Sequence, residues 1–149
     1  MPAEPLSILL GEDDDGHATL VRRNMQRAGI GEGVLHLKDG QAVLDFVRCT
    51  GQYAARRRGG PLLVLLDHKM PRVDGLEVLR QLKADRSTAH VPVIMLTTTD
   101  DPREVQRCYE LGCSVYVTKP VVYEEFVEVI RRLALFLAIA RVPREDDRA

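Results

Sequence analysis

Short apolar runs alternate along this chain with longer stretches in which apolar residues recur at every third or fourth position. The apolar runs lie at residues 6–10, 34–37, 62–66, 92–97 and 114–118. Runs of this length without polar alternation are typical of strands that are buried on both faces. They predict the strands of a parallel sheet that is covered by helices.

The periodic stretches predict a helix after each of these strands. The predicted helices lie at about residues 16–28, 40–47, 76–82, 102–111 and 123–141. Asp14 or Asp15 is the expected N-cap of the first helix, and Gly29 is its expected stop. Asp100 or Asp101, which precede Pro102, mark the start of the fourth. Five successive strand–helix units predict an α/β fold, a doubly wound parallel (βα)5 sheet.

Composition limits the function classes. The chain has 149 residues, a net charge of −1 and a pI near 6.4, which suit one domain without a general attraction to nucleic acid or membrane. Three cysteines without a C-x-x-C pair favour a reducing compartment. No signal peptide or membrane span is evident. We therefore expect a soluble, cytoplasmic protein, and we expect the basic run 56–58 to be a solvated loop.

Polar residues follow several predicted strands directly. Asp67 ends the most continuous apolar run, and Glu12, Asp13, Asp14 and Asp15 follow the first. In isolation the acidic run could be a solvated loop with a helix cap, or a site for a divalent cation.

The predicted topology favours the cation site. The carboxyl ends of parallel strands share one edge of the sheet, where open α/β folds bind ligands. Glu12, Asp13, Asp67, Thr97 and Lys119 all lie at such ends. Clustered carboxylates repel unless a cation lies among them, and a lysine can pair with a carboxylate or a phosphoryl group. This set suits phosphoryl transfer, in which an aspartate can be the nucleophile.

Four motifs at these strand ends resemble those of the response-regulator receiver domains of two-component signalling. They are Leu-Leu-Gly-Glu-Asp-Asp at 9–14, Leu-Leu-Asp-His-Lys-Met-Pro-Arg-Val-Asp-Gly at 65–75, Met-Leu-Thr-Thr at 95–98 and Tyr-Val-Thr-Lys-Pro at 116–120. The resemblance covers nearly the whole chain and implies a flavodoxin-like fold with sheet order 2-1-3-4-5.

The resemblance also implies a role for each site residue. Asp67 would accept a phosphoryl group from a histidine kinase, and Mg²⁺ would be held by Asp13, Asp67 and the backbone carbonyl of Lys69, with Glu12 acting mainly through water. Lys119 would pair with Asp67 at rest and with the phosphoryl oxygens afterwards. Two residues would form the switch, Thr97 and then Tyr116. The Lys119–Pro120 peptide bond would be cis.

A narrower resemblance concerns the loop 51–54 with its arginines, the threonines 97–99 and the long last helix. These features look like small stand-alone regulators that partner bacterial phytochrome kinases. We expect a single receiver domain at 1–141 and a short polar tail at 142–149. That tail is too short for a DNA-binding domain, so output would pass through protein contacts or phosphotransfer.

The last helix is apolar on more than one face. Residues 133–140 read Leu-Ala-Leu-Phe-Leu-Ala-Ile-Ala, and Leu135, Phe136 and Ile139 fall outside the core-facing stripe. They could pack against their own domain, but a homodimer interface is the preferred prediction.

Two other function classes stay open from the sequence. A Mg²⁺-dependent phosphatase or phosphotransferase also forms an aspartyl phosphate, but such enzymes usually carry an acid where Lys69 stands here. A phosphate-independent scaffold would not need five intact site residues. Two smaller expectations are a loosened end of the first strand, because Gly11 replaces a branched residue, and structural or solvated roles for the histidines, His17, His36, His68 and His90.

Overall fold

A computed structural model of the chain describes residues 4–30 and 33–146. Its parallel strands are β1 (Ser7–Gly11), β2 (Val34–Leu37), β3 (Leu62–Leu66), β4 (Val93–Thr97) and β5 (Val115–Thr118). They form one sheet in the order 2-1-3-4-5. The predicted flavodoxin-like (βα)5 fold is therefore confirmed.

The helices cover both faces of the sheet. They are α1 (Asp15–Arg27), α2 (Gly40–Arg48), α3 (Gly75–Ala84), α4 (Pro102–Leu111) and α5 (Tyr123–Ile139). Alternate side chains of each inner strand point to opposite faces, so Leu9 packs with α2, α3 and α4 while Leu10 packs with α1 and α5. All five residues of β3 are buried, as its unbroken apolar run predicts.

Aspartates start four of the five helices. Asp14, Asp39, Asp74 and Asp101 each accept a hydrogen bond from a backbone amide two or three residues further along the chain. Of the alternatives that the sequence left open, Asp14 rather than Asp15 caps α1, and Asp101 rather than Asp100 caps α4. The last helix ends at Ile139, two residues earlier than predicted, because Ala140 is already extended.

An ion pair lies at the edge of the sheet where the strands begin. Arg56 donates two hydrogen bonds to the carboxylate of Glu145, at 2.7 and 2.6 Å, and its guanidinium lies 3.8 Å from the centre of the Phe46 ring. The amide of Glu145 donates to Gly60 at 2.9 Å, directly before β3. We call Arg56 and Glu145 the amino-edge pair. The prediction of a solvated basic run is wrong for Arg56, which this pair leaves mostly covered, and for Arg58, which is half-buried and donates to the carbonyl of Ser87 at 2.8 Å. Arg57 is exposed.

The end of β1 is well packed, contrary to expectation. Gly11 pairs with Leu37 and Leu66, and a Cβ placed on it would lie 2.8 Å from Leu66 Cδ1 and 3.2 Å from Met70 Sδ. Neighbouring side chains thus fill the space that a branched residue would take. Among the helices of the described residues, none is long and apolar enough to cross a membrane.

Candidate functional site

Three buried charged side chains meet at the carboxyl edge of the sheet. Glu12 follows β1, Asp67 follows β3 and Lys119 follows β5. The ammonium of Lys119 donates to Asp67 Oδ2 at 3.0 Å and makes a short hydrogen bond to Glu12 Oε1. The parallel topology thus brings together residues that lie up to 107 positions apart. We call these three residues the carboxyl-edge cluster.

The two carboxyl groups of this cluster are shifted in opposite directions. Burial, together with the hydrogen bond that protonated Glu12 donates to Asp67, raises the pKa of Glu12 from its ordinary 4.5 to about 8, although Lys119 opposes the shift. Burial also acts to raise the pKa of Asp67, but the hydrogen bond with Glu12 and the ammonium of Lys119 outweigh it and hold that pKa below its ordinary value. At neutral pH Asp67 is therefore ionised, while Glu12 retains a proton.

Asp13 adds a third carboxylate at the solvent side of the cluster. One oxygen each from Glu12, Asp13 and Asp67 lie within 4.8 Å of one another. Three carboxyl groups beside one ammonium have surplus negative charge once all three are deprotonated, and hard divalent cations take clustered carboxylate oxygens. These residues fit a divalent metal ion. Lys69 is exposed two residues after Asp67, where its backbone carbonyl could complete the ligand set.

A backbone hydrogen bond and a helix cap fix the loop that follows Asp67. The amide of Gly75 donates to the carbonyl of His68 at 2.7 Å, and Asp74 caps α3. A Cβ on Gly75 would lie 2.1 Å from the carbonyl oxygen of Asp67, so only glycine fits at this position. Arg72 is left-handed with a φ of 69°, a conformation that is costly for a residue with a side chain.

Thr97 has a buried hydroxyl that makes no hydrogen bond to the described residues. Thr97 ends β4 and is fully buried, and its Oγ1 makes no hydrogen bond of normal geometry to the residues that the structure describes. It lies close enough to Asp67 to help lower the pKa of that carboxyl group. A buried hydroxyl without a partner is unfavourable and is available to a ligand that reaches it. Tyr116 is half-buried on β5, where it pairs with Met95, two residues before Thr97. Its hydroxyl donates to the carbonyl of Thr99 at 2.5 Å. Burial raises the pKa of Tyr116 to about 12, so this hydroxyl is protonated.

The prediction of a cis Lys119–Pro120 bond is wrong. No peptide bond between described residues is cis. A prolyl bond prefers the trans form by only about 0.5–1 kcal/mol, so cis requires surrounding contacts that favour it. Lys119 reaches the cluster with its peptide bond in the trans form.

Two histidines that were assigned structural or solvated roles contact the site. His17, on the first turn of α1, has its Nδ1 atom 3.1 Å from the ammonium of Lys119. His36 places Nε2 at 2.6 Å from the backbone carbonyl oxygen of Glu12, whereas His68 contacts Glu104 on α4, outside the cluster. Metal-ligand spacing could not have identified either residue. His17 could have been identified from its position four residues after Asp13, one helical turn beyond the acidic run.

The apolar residues of the last helix are not part of this site. Leu135, Phe136 and Ile139 are exposed on α5, with 49%, 55% and 81% of their surface accessible. They are the surplus apolar residues that the sequence pattern identified.

Comparisons with known proteins agree with this arrangement. Residues 8–131 match the family model of the response regulator receiver domain. Response regulator Rcp1 from Synechocystis is 32% identical over 132 residues, which span 89% of this chain and 88% of Rcp1. The Mn²⁺-bound structure of Rcp1 superimposes with a TM-score of 0.85 at 29% identity, covering 94% of this chain and 99% of that one.

Two further crystal structures are similar over almost their full length. A response regulator receiver domain from Rhodospirillum rubrum is 42% identical, has a TM-score of 0.86 and aligns over 95% of this chain and 99% of its own. The phosphorylated cyanobacterial phytochrome response regulator RcpA is 27% identical, has a TM-score of 0.84 and aligns over 95% and 99%.

Proposed function

This chain belongs to the response regulator receiver domain family, and from that premise we propose that Asp67 is the residue that accepts the phosphoryl group from a histidine kinase. The observation that carries the proposal is the pairing of a buried, ionised Asp67 with Lys119 at 3.0 Å, beside the carboxyl groups of Glu12 and Asp13. An ionised carboxylate is the nucleophilic form. The adjacent ammonium offsets the charge of an approaching phosphoryl group.

The transfer is a displacement at phosphorus. A carboxylate oxygen of Asp67 forms a bond to the phosphorus of a phosphohistidine while the phosphorus–nitrogen bond breaks. The electron pair of that bond returns to the imidazole nitrogen, which takes up a proton. Lys119 then donates to a phosphoryl oxygen, and hydrolysis by water later releases inorganic phosphate and restores the carboxylate.

We propose Mg²⁺ as the resident metal, held by Asp13, Asp67 and the backbone carbonyl of Lys69, with Glu12 nearby. When bound, Mg²⁺ supplies positive charge that offsets the carboxylates and the phosphoryl oxygens. The Mn²⁺-bound form of Rcp1 supports a divalent cation in this family. The three carboxylate oxygens within 4.8 Å of one another support it for this chain.

The unpaired hydroxyl of Thr97 supports its role in the switch. A phosphoryl oxygen on Asp67 would give this hydroxyl its missing partner. Movement of Thr97 towards the phosphoryl group shifts the backbone that follows β4, and the bond from Tyr116 to Thr99 lies in that segment. Thr97 and Tyr116 therefore couple phosphorylation to the face formed by α4, β5 and α5.

The direct test is phosphorylation by acetyl phosphate in the presence of Mg²⁺, followed by intact mass. The parent protein is expected to gain about 80 Da, and Asp67→Asn is expected to gain nothing, because an amide cannot form the acyl phosphate. Asp14→Asn is the matched control. Asp14 is an acid close to the cluster that caps α1, a task that asparagine performs equally well.

Failure of the parent to gain mass, or an equal gain in Asp67→Asn, would contradict the assignment. The first result would favour a phosphate-independent scaffold. Turnover of a phosphorylated substrate other than the donor would instead favour a phosphatase or phosphotransferase. We propose a phosphoacceptor rather than an enzyme because Lys69, and not an acid, stands two residues after Asp67.

The kinase partner is proposed from the relatives. RcpA is a cyanobacterial phytochrome response regulator, and this chain aligns with 99% of it. A bacterial phytochrome kinase is therefore the proposed phosphodonor, and the cytoplasm the proposed location, where a reducing environment suits the free cysteines, Cys49, Cys108 and Cys113. The test is transfer from a purified, autophosphorylated phytochrome kinase, compared with transfer from a histidine kinase of another sensor class.

We propose that residues 1–141 are the receiver domain and 142–149 its tail, which packs on the domain as far as Asp146 through the amino-edge pair. A net charge of −1 gives no general attraction to DNA, which supports output through protein contacts.

A homodimer through α5 is the proposed quaternary state. Phe136 and Ile139 lie close together at the end of α5 and expose apolar surface that a second copy could cover. Sedimentation velocity of Phe136→Glu and Ile139→Glu is expected to show a monomer where the parent is a dimer. Val121→Glu is the control, because Val121 is equally apolar and fully exposed outside this patch. A parent that sediments as a monomer, with and without phosphorylation, would contradict the proposal.

A further inference from the structure

His36 connects β2 to the end of β1, where the acidic residues of the site begin. It is half-buried on β2, and its Nε2 atom lies 2.6 Å from the backbone carbonyl oxygen of Glu12. A carbonyl oxygen can only accept a hydrogen bond, so Nε2 of His36 carries a proton and donates. Because an imidazolium ring also carries a proton on Nε2, this bond does not depend on the charge of the ring.

The bond from His36 extends the pairing of β1 with β2 beyond the last residue of β1. The amide of Glu12 donates to the carbonyl of Leu37 at 3.0 Å. The carbonyl of Glu12 receives no backbone amide from the described residues and pairs with the ring of His36 instead. Glu12 is buried, and a buried carbonyl without a partner is unfavourable. Both backbone polar groups of Glu12 are therefore held by β2.

The carbonyl of Glu12 belongs to the peptide unit that leads into Asp13. The peptide bond is planar, so the bond from His36 fixes the carbonyl of Glu12 and the amide of Asp13 together. Asp13 is exposed, so its backbone largely sets the direction of its side chain. The chain is fixed again directly afterwards, because Asp14 accepts from the amide of His17 at 3.0 Å and caps α1. Asp13 thus lies between two fixed points, and His36 supplies the first.

We propose that His36 is a positioning residue for the divalent metal ion, because it holds the peptide between Glu12 and Asp13 so that both side chains point towards Asp67. This inference rests on the proposed function, in which Mg²⁺ binds beside Asp67. One oxygen each from Glu12, Asp13 and Asp67 lie within 4.8 Å of one another in this arrangement. Groups that orient metal ligands by hydrogen bonds raise the affinity for the metal.

Two substitutions of His36 separate the donor from the bulk of the ring. His36→Phe keeps an aromatic ring and removes the donor, whereas His36→Gln keeps an N–H at a similar distance from the backbone. In titrations with Mn²⁺, followed by the paramagnetic signal of the free ion, we expect the dissociation constant to rise about tenfold in His36→Phe. His36→Gln is expected to bind Mn²⁺ almost as tightly as the parent, because its amide can still donate to Glu12.

His90 supplies the matched control at the edge where the strands begin. Its Nε2 atom lies 2.7 Å from the carbonyl oxygen of Glu145, which is a bond of the same kind at the other end of the sheet. His90→Phe should lower stability in urea denaturation much as His36→Phe does, since each leaves a carbonyl without its donor. It should leave the affinity for Mn²⁺ unchanged. An equal loss of affinity in the two variants would show that lost stability weakens the site, which would overturn the inference.

Phosphorylation by acetyl phosphate separates metal binding from the chemical step. His36→Phe should need about tenfold more Mg²⁺ for half of its maximal rate. Its rate at saturating Mg²⁺ should match that of the parent, because Asp67 and Lys119 are unchanged. An unchanged requirement for Mg²⁺ combined with a lower rate at saturation would contradict a role in metal binding.

A further readout needs neither metal nor phosphoryl group. In ¹H–¹⁵N spectra of the metal-free protein, the amide resonance of Asp13 should shift and broaden in His36→Phe but not in His36→Gln. An Asp13 amide that is identical in the parent and in His36→Phe would overturn the inference.

The outcomes distinguish this inference from the proposed function. Equal affinities for Mn²⁺ in the parent and His36→Phe would overturn the inference and leave phosphorylation of Asp67 standing. If the parent gains no phosphoryl group, the proposed function fails, whereas a weaker affinity for Mn²⁺ in His36→Phe alone would still support the positioning role. A parent that binds no Mn²⁺ would overturn both the proposed metal and the inference.

Discussion

Buried ionic groups lie at both edges of the same sheet, and the two sets differ in how well their charges are matched. The carboxyl-edge cluster sets Lys119 against two buried carboxyl groups, Glu12 and Asp67, with Asp13 a third at its solvent side. The amino-edge pair sets Arg56 against Glu145 alone, with both carboxylate oxygens engaged. The first has surplus negative charge, and the second is neutral and bidentate.

The two edges also differ in how fully their polar groups are hydrogen-bonded. Arg56 also donates to the carbonyl of Phe46 at 2.9 Å and lies over its ring. Beside the carboxyl-edge cluster, the Thr97 hydroxyl has no hydrogen-bond partner among the described residues. A matched and saturated pair can only hold segments of the chain together, whereas an unmatched cluster can bind a cation and a phosphoryl group. Charge balance and unfilled hydrogen-bonding capacity therefore distinguish the functional edge from the structural one, although both contain buried ions.

Breaking the amino-edge pair should have the largest effect on stability. Arg56→Ala leaves the carboxylate of Glu145 buried without its partner and removes the contact with Phe46. We expect a loss of about 3–5 kcal/mol in the free energy of unfolding, measured by urea denaturation.

The double variant Arg56→Met, Glu145→Leu is the matched control. Replacing both ions by apolar side chains avoids an unpaired buried charge, so most of the stability should return. The folded fraction of each variant should still be phosphorylated at Asp67. A loss of phosphorylation that exceeds the loss of folded protein would contradict the separation of the two edges.

Neutralising Glu12 should have an intermediate effect that depends on pH. The folded-state pKa of Glu12 is raised from 4.5 to about 8, so its protonated form stabilises the metal-free protein and that contribution is lost as pH rises through this window. Glu12→Gln mimics the protonated form and should be more stable than the parent by about 1–3 kcal/mol near pH 9, with little difference near pH 5.

Mg²⁺ provides the second half of that test. Because metal ligands must be deprotonated, added Mg²⁺ should raise the melting temperature of the parent more near pH 9 than near pH 6. Glu12→Gln should show a smaller dependence on pH. A parent and variant whose stability difference is the same at all pH values would contradict a retained proton on Glu12.

The fold could be predicted almost completely from the sequence. Each strand is a short apolar run, and each of the first four helices begins at an aspartate, so local signals agree with the topology. The amino-edge pair could not be predicted in this way. Arg56 and Glu145 are 89 residues apart, and nothing in the basic run distinguishes Arg56 from the exposed Arg57.

The carboxyl-edge residues were identifiable because they follow strands directly, and parallel strands end at one edge. The contact of His17 with Lys119 was missed, although His17 lies one helical turn beyond Asp13. The trans bond before Pro120 was also missed, because the prediction came from family resemblance and the local sequence does not determine the isomer.

Two buried threonines show whether an unpaired hydroxyl can be removed without loss of stability, and the expected effect is smaller than that of Glu12→Gln. Thr97 and Thr88 are both fully buried. The hydroxyl of Thr88 donates to the carbonyl of Leu82 at 2.7 Å, whereas that of Thr97 has no partner within residues 4–30 and 33–146. Thr97→Val should leave stability unchanged or raise it by about 1 kcal/mol, and Thr88→Val should lower it by about 1–2 kcal/mol. Equal losses in urea denaturation would contradict an unpaired hydroxyl at Thr97.

Relief of backbone strain at Arg72 should have the smallest effect. Its φ of 69° lies in the left-handed region, within the loop between Asp67 and α3. Arg72→Gly removes the steric cost but adds entropy to the unfolded chain, so we expect a net gain of about 0.5–1 kcal/mol. Arg72→Ala is the control, because it removes the exposed guanidinium and keeps the strain. If both variants change stability equally, the side chain matters and the backbone does not; if only glycine stabilises, the functional edge carries strain in its loop as well as unmatched charge.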